Sequence, residues 1–591
     1  MPSLPPGVHR PAPSPGRACL LAAALGLGLL RCGGGGSGGA IGGPPPGPHP
    51  SPLDPPLTPT TQPLHIEGLY VTQGSQRLDR SVPLVQGRPG YLRVFVLANA
   101  WSGAAPPVRV RLLDRDGHEI LNESIPGPAA GVPDTLRQGS MDQSWNLPLE
   151  GSLIQPGITC LASVAGPGNV PAGNLRYPAD GSPLPLEVVP AAPLRLVLIP
   201  IRTRGRVGLV ESGGRTKESW VQSLTRMFPL GQVTVRVGAE FATTFDPHDD
   251  VQEQHLLGQL EAMRVSAGAT REYYYGVFPA RGGNNHTGLG YVPAANSTSL
   301  RSAIGWDGHS YHLSLAHELG HNLGLRHAPC GRAHNFPKDV NPAFWYRDGS
   351  IGAFGFEVQT ATPKDPAVFK DIMSYCPPEW ASDFDSLEIL KFRAREPLAP
   401  AAAAASTAQD CLLVQGVIRH GQAILEPAFQ VHREALPPDP GDCVLTTLDA
   451  QGRVLETVPF GPGGLADAES DSDLGVFTLV IPMTEAMKAS LASLQVSRDG
   501  VILGRLKAPG ARAHAHQPHP QAARDSHGLA HLQWDPRGYN TVVVLDPGTG
   551  AILAMGAGGR LELEVQAPEL ECRFSDGLHT LVQRVTVPAY Q

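Results

Sequence analysis

The stretch AHELGHNLGLRHAPC, residues 316–330, restricts the local fold more than any other part of the chain. Leu313, Leu315, Ala316, Leu319 and Leu323 recur around it at helical spacing, so the spacing predicts an apolar-faced helix. Residues four apart share a helix face, which puts the imidazoles of His317 and His321 side by side. Neutral imidazole is a common zinc ligand, at about 2.0–2.1 Å from the metal. A continued helix would carry His327 about 9 Å beyond His321, at about 1.5 Å per residue, and turn it to another side. The three rings can meet only if the chain stops and turns back. Gly324 can do this, because glycine enters the left-handed conformation that ends helices.

The pattern H-E-x-x-H-x-x-G-x-x-H therefore reads as two ligands on a helix, a stop, and a third ligand returned to the same metal ion. Three protein ligands leave one tetrahedral zinc position open to water, which marks a catalytic centre rather than a structural one. Glu318, next to the first ligand, is placed to act as general base. With 21 His and 68 Gly in 591 residues, the pattern is expected by chance on the order of 10⁻⁴ times per chain, so a coincidence is a poor account of it. A helix with histidines along a polar edge would explain one of these residues, but not three together with Glu318 and Gly324.

HELGHNLGLRH resembles the signature of the metzincin zinc endopeptidases, in which a Met-turn follows downstream. DIMSYC, residues 371–376, supplies a similar turn, with Met373 expected beneath the imidazoles. Tyr375 is similar to the tyrosine of the astacin- and serralysin-like branches, which contacts the zinc or steadies the transition state. The wider layout looks like the bacterial StcE/TagA-type mucin-degrading lipoprotein metalloproteases, a resemblance specific for residues 190–395. The resemblance implies an α+β protein: a metzincin-like protease domain, with a twisted sheet and the zinc-binding helix, flanked by β-sandwich domains. It implies one catalytic Zn²⁺ held by His317, His321 and His327, with Glu318 and Tyr375 as catalytic residues. The activity it implies is cleavage of peptide bonds in extracellular proteins, mucin-like glycoproteins among them. The competing reading is a non-enzymatic surface adhesin on the same fold, against which the retained Glu318 argues. Cys330 follows the third ligand by three residues, and Cys376 follows Met373 by three. They are a candidate disulfide if both segments meet at one metal, the alternatives being two free thiols or pairing with Cys411.

The domain reading follows composition and pattern. Arg10 and Arg17 precede the apolar run ACLLAAALGLGLL, so residues 1–32 read as a signal peptide. Cys32 opens CGGGGSGG and is the candidate lipidation site of a bacterial surface lipoprotein. Arg31 departs from that pattern, and secretion by simple cleavage is the alternative. Residues 33–64 form a Gly/Pro tether. Alternating runs such as VRVRLLD predict a β-sandwich over 65–190. The protease domain is expected at 191–398, opening with the buried strand LRLVLIPI and carrying the helix patterns near 220 and 250. AAAAAS marks a linker, and further β-sandwiches are expected at 407–510 and 525–591. A net charge of −8 gives no sign of nucleic-acid binding, and the only membrane contact expected is the lipid anchor. The cysteines left after the leader, Cys160, Cys330, Cys376, Cys411, Cys443 and Cys572, suit an exported chain but admit 15 pairings. The acidic run 467–473 reads as a solvated turn and the histidines 514, 516 and 519 as a polar linker. His309, His312 and His334 lack ligand spacing.

Overall fold

The structure is a computed structural model that describes residues 63–164, 174–280, 287–294, 297–331, 340–396, 408–466, 474–509 and 516–589. The signal segment, Cys32, the tether to residue 62, the linker at 401–406, the acidic run 467–473, His334 and His514 lie outside the described residues. Among the described residues no helix is long and apolar enough to cross a membrane.

The strand Leu194–Thr203 is the centre from which the site is built. Its residues alternate between two cores: Leu194, Leu196 and Leu198 enter one, and Val197, Ile199 and Ile201 the other. A strand buried on both faces reads as a near-continuous apolar run, and LRLVLIPI, broken only by the exposed Arg195, is such a run. It pairs in parallel with Val233–Val237, Phe241–Thr243 and Glu272–Phe278. Ser302–Trp306 adds in parallel beyond Glu272–Phe278, and Gly288–Val292 pairs antiparallel beyond that. The helix Tyr311–Asn322 lies on one face through Leu315 and Leu319. The helix Asp250–Ser266 covers the other through Leu256, Leu257 and Leu260, its first turn capped by Asp249.

The sheet does not end with the site-bearing segment. Phe241–Thr243 pairs with Ile552–Ala557, and Thr541–Leu545, Glu569–Ser575 and Thr580–Thr586 follow in order, so strands of the segment 525–591 extend the same twelve-stranded sheet. Ahead of it, the three strands Leu64–Thr72, Gly90–Ala98 and Trp145–Leu149 form one sheet, and Val108–Leu113, Glu119–Ile125 and Thr159–Val164 lie in a second. Both sheets bury residues in one core around Trp145, whose indole N–H reaches Pro106 O at 2.9 Å.

The α+β class expected from the sequence is corrected here: 42% of the chain is strand and 13% helix, and the strands fall into several sandwich-like sheets, so the chain is predominantly β. The α+β expectation came from the motif and its surroundings. Most of the chain outside them consists of short alternating strands broken by Pro and Gly, which form sheets.

The N-terminal sheets are joined to the central lobe by polar ties. Arg77 Nε donates to Asp383 (2.5 Å), Ser75 Oγ to Ala381 O (2.6 Å), and Trp380 Nε1 to Gly74 O (3.2 Å). Arg88 extends across the junction and donates to Thr225 O (3.0 Å), Arg226 O (3.1 Å) and Phe228 O at the end of the short helix Gln222–Met227. These carbonyls lack helical partners, so one guanidinium satisfies several at once. Replacing Arg88 by Met should cost roughly 2–4 kcal/mol, because part-buried carbonyls lose their donor. A urea unfolding midpoint lowered with unchanged slope would register this, and an unchanged midpoint would contradict it.

Candidate metal centre

The helix Tyr311–Asn322 carries His317 and His321 on its buried side, exposed by only 9% and 1%. Gly324 then takes φ +87°, and Leu325 N–H donates back to Gly320 O at 3.1 Å, the closing bond of a left-handed helix stop. A side chain at 324 would also meet Phe392, its Cβ lying 2.7 Å from the ring. The turned chain brings back His327, itself 3% exposed. Its carbonyl is held by Asn341 N–H (2.9 Å), and Ala328 N–H donates to Met373 O (2.9 Å).

The three rings form a compact triangle with centroids 5.0, 5.3 and 4.7 Å apart. Each offers one ligand atom, and these atoms all lie within 4.8 Å of one another. His317 Nδ1 faces Ile372 O at 2.8 Å and His321 Nδ1 faces Leu325 O at 3.0 Å. A carbonyl can only accept, so both Nδ1 atoms carry the proton and both Nε2 atoms present a lone pair. His317 Nε2 is buried and has no hydrogen-bond partner, the state expected of an atom shaped to meet a cation. The donor set therefore fits a zinc ion.

Glu318, 2% exposed, lies against the strand Gly288–Val292. A Cβ on Gly288 would fall 2.8 Å from Glu318 Oε1, and one on Gly290 3.2 Å from Oε2, so the two glycines make the room for this carboxylate. Gly305, paired with Gly288, leaves space for the Tyr275 phenol in the same way. Burial, and then the Glu318 charge, push that phenol well above its ordinary range, so it stays protonated. Asn322 ties the helix end to the sheet, Nδ2 donating to Tyr291 O (2.8 Å) and Ser302 O (3.0 Å). Sequence reasoning missed Tyr275 and Asn322. The alternating glycines of GLGYVP were a visible signal for the strand that covers Glu318.

Met373 is fully buried beneath the helix, where a Cβ on Gly320 would lie 2.5 Å from its sulfur. Tyr375 is 36% exposed, with Oη 3.0 Å from His327 Nε2. Cys330 and Cys376 are bonded to each other, Cα–Cα 5.9 Å, while Cys160, Cys411, Cys443 and Cys572 are buried thiols. Asp371 accepts from Met373 N–H (2.7 Å) and Ser382 N–H (2.8 Å) and so shapes the turn. His309 packs on Trp306 and His312 bonds Ser223 (2.7 Å), outside the ligand triangle. A second cluster, Asp114, Asp116 and His118, is an exposed hairpin turn.

No family model matches the sequence, and no curated protein matches it. Among solved structures, similarity is found to a glycosyl hydrolase family 2 member from Bacteroides cellulosilyticus, at 8% identity and TM-score 0.15, covering 89% of this chain and 79% of that one. A beta-glycosidase from Bacteroides vulgatus is also found, at 8% identity and TM-score 0.14, covering 89% of this chain and 80% of that one. A Parabacteroides merdae beta-glucuronidase follows at 9% identity and TM-score 0.14, with 89% and 77% covered. These findings correct the family expectation. No family model matches the chain, and the neighbours named above are enzymes of glycoside cleavage; the assignment to the metzincins, and peptide-bond hydrolysis as the activity, are withdrawn. At such TM-scores the glycoside hydrolase likeness itself assigns neither fold nor activity.

Two predictions follow from the geometry. Gly324→Ala should lower stability by about 2–4 kcal/mol, from a left-handed alanine and its clash with Phe392, and an unfolding titration reads it. Glu379, which flanks the Met373 turn, has its carboxyl pushed up to about 7 by burial and then by the Asp371 charge. The folded state therefore holds this proton more tightly than the unfolded chain, and stability falls as pH rises from about 4.5 to 7. Glu379→Gln should flatten that fall, so its melting temperature should gain on the native chain between pH 5 and pH 8. A constant difference at the two pH values would rule this out.

Proposed function

We propose that the protein is a metal-dependent hydrolase, with His317, His321 and His327 as the ligands of one zinc ion and Glu318 as the base that takes the proton of the attacking water. The observation that carries this reading is three buried imidazoles whose ligand atoms lie within 4.8 Å of one another, two of them on the helix that also bears Glu318. A zinc ion held there would polarise a substrate oxygen and acidify water.

The chain's own residues do the rest. Ile372 O and Leu325 O fix the Nδ1–H tautomer of His317 and His321, which leaves Nε2 as the ligand atom of each neutral ring. The backbone at Gly288 and Gly290 confines the Glu318 carboxylate, so it accepts and returns a proton from a restricted position. The Tyr375 hydroxyl, at the exposed side of the triangle, can donate to an oxygen that gains charge in the transition state.

The test uses the full chain with peptide, ester and glycoside substrates, and metal content measured in parallel. One zinc per chain is expected, with turnover lost to a chelator and restored by zinc. His321→Ala should lose the metal. Glu318→Gln should keep it while turnover drops at least about 10²-fold. Zinc lost from Glu318→Gln, or turnover untouched by either change, would refute the role assignment. Tyr375→Phe should lower kcat by about 10²-fold and leave KM nearly constant. An unchanged kcat would make Tyr375 a packing residue only.

A further inference from the structure

The outer face of the N-terminal sheet that contains Val108–Leu113 carries a set of arginines with no part in the metal centre. Along that strand Val108, Val110 and Leu112 are fully buried, so Arg109 and Arg111 point the other way, into solvent. The register sets Arg109 beside Ser163, and Ser163 beside Arg176 of the short strand Arg176–Tyr177. Three strands thus place Arg109, Ser163 and Arg176 in one row, with Arg111 two residues along. From strand geometry, Arg109 and Arg111 are about 7 Å apart, and Arg109 and Arg176 roughly 10 Å.

The guanidinium groups are oriented from behind. Arg109 Nε donates to Asn122 Oδ1 (2.7 Å), Asn122 Nδ2 donates to Glu119 Oε1 (2.7 Å), and Arg111 Nε is paired with Glu119. Each of the two arginines uses its Nε sideways, and among the described residues neither has a partner for its terminal nitrogens. The Arg176 side chain has no hydrogen-bond or ion-pair partner among the described residues. The concavity they line holds about 550 Å³ and includes Leu161 as an apolar floor. Three cations against the single Glu119 carboxylate leave a local excess of positive charge, on a chain whose net charge is −8.

We infer that this face is a binding site for an acidic oligosaccharide, engaged through its sulfate or carboxylate groups. Arginine presents a planar fork that matches both groups bidentately, and two of the three forks are held in place before any ligand arrives. The 7–10 Å spacing suits a linear polymer whose charges recur along its length. Leu161 and Ser163 offer an apolar contact and a hydroxyl, which sugar rings can use. Nucleic acid is the less suitable polyanion. Tyr177, the aromatic beside Arg176, packs inward on the sandwich core, so no ring beside Arg176 faces the arginines for a base to stack on.

The experiment measures binding of the full chain to three labelled probes: a sulfated hexasaccharide, a uronate hexasaccharide without sulfate, and a single-stranded DNA oligonucleotide. Fluorescence anisotropy at several salt concentrations gives the affinities. Binding of one or both oligosaccharides is expected, weakening as salt rises, with the difference between them telling sulfate from carboxylate recognition. The double variant Arg109→Gln, Arg176→Gln should weaken it at least tenfold with an unchanged melting curve. Arg111→Lys, which keeps the charge but loses the fork, should weaken it by a smaller factor. No oligosaccharide binding, binding indifferent to the double substitution, or equal binding of the DNA would overturn the inference.

Discussion

With φ at +87°, Gly324 lets the chain leave the helix Tyr311–Asn322 and return His327 to the rings of His317 and His321. Everything else at the centre depends on that reversal. Leu325, the first residue past it, supplies the carbonyl that orients His321, so one turn both ends the helix and sets a ligand's tautomer. Phe392 fills the space that a side chain at 324 would need, and the core behind the turn is packed around its absence.

A second layer holds the reversal in place. The segment around Met373 runs beneath the helix and offers Ile372 O to His317 and Met373 O to Ala328 N–H. Asp371 fixes that segment by accepting two backbone N–H groups, and the Cys330–Cys376 bond joins it to the third-ligand loop. In the same region the Asp385 carboxyl is pushed well above the usual carboxylate range, first by burial and then by Asp371. The layer that positions the ligands is thus partly built from acids in an environment that disfavours their charge.

The α+β expectation went astray for a physical reason. The zinc motif is a dense local signal, and the α+β class rests on the segment around it, although β-sandwiches are expected on both sides. Strand pairing is non-local: nothing in the run TVVVL says that it will join, through Ile552–Ala557, a sheet begun at Leu194. Likewise the pairing of Gly464–Leu465 with Tyr291 and Val292 links two segments far apart in sequence, and no local pattern encodes it.

The sequence by itself determined the ligand triangle. Helical period, the i, i+4 histidines and a glycine three residues on are local features, and local backbone preference is enough to turn them into converging imidazoles. It also made the buried strand LRLVLIPI legible, because a run whose only charged residue is Arg195 has little to turn toward water on either side. Only the tertiary structure decided what surrounds Glu318. Gly288, Gly290, Gly305 and Tyr275 reach it through strand register and sheet order. So do the row of Arg109, Ser163 and Arg176 and the reach of Arg88 across two lobes, since each depends on which strands lie side by side, and that is settled by burial of the whole chain rather than by any one segment.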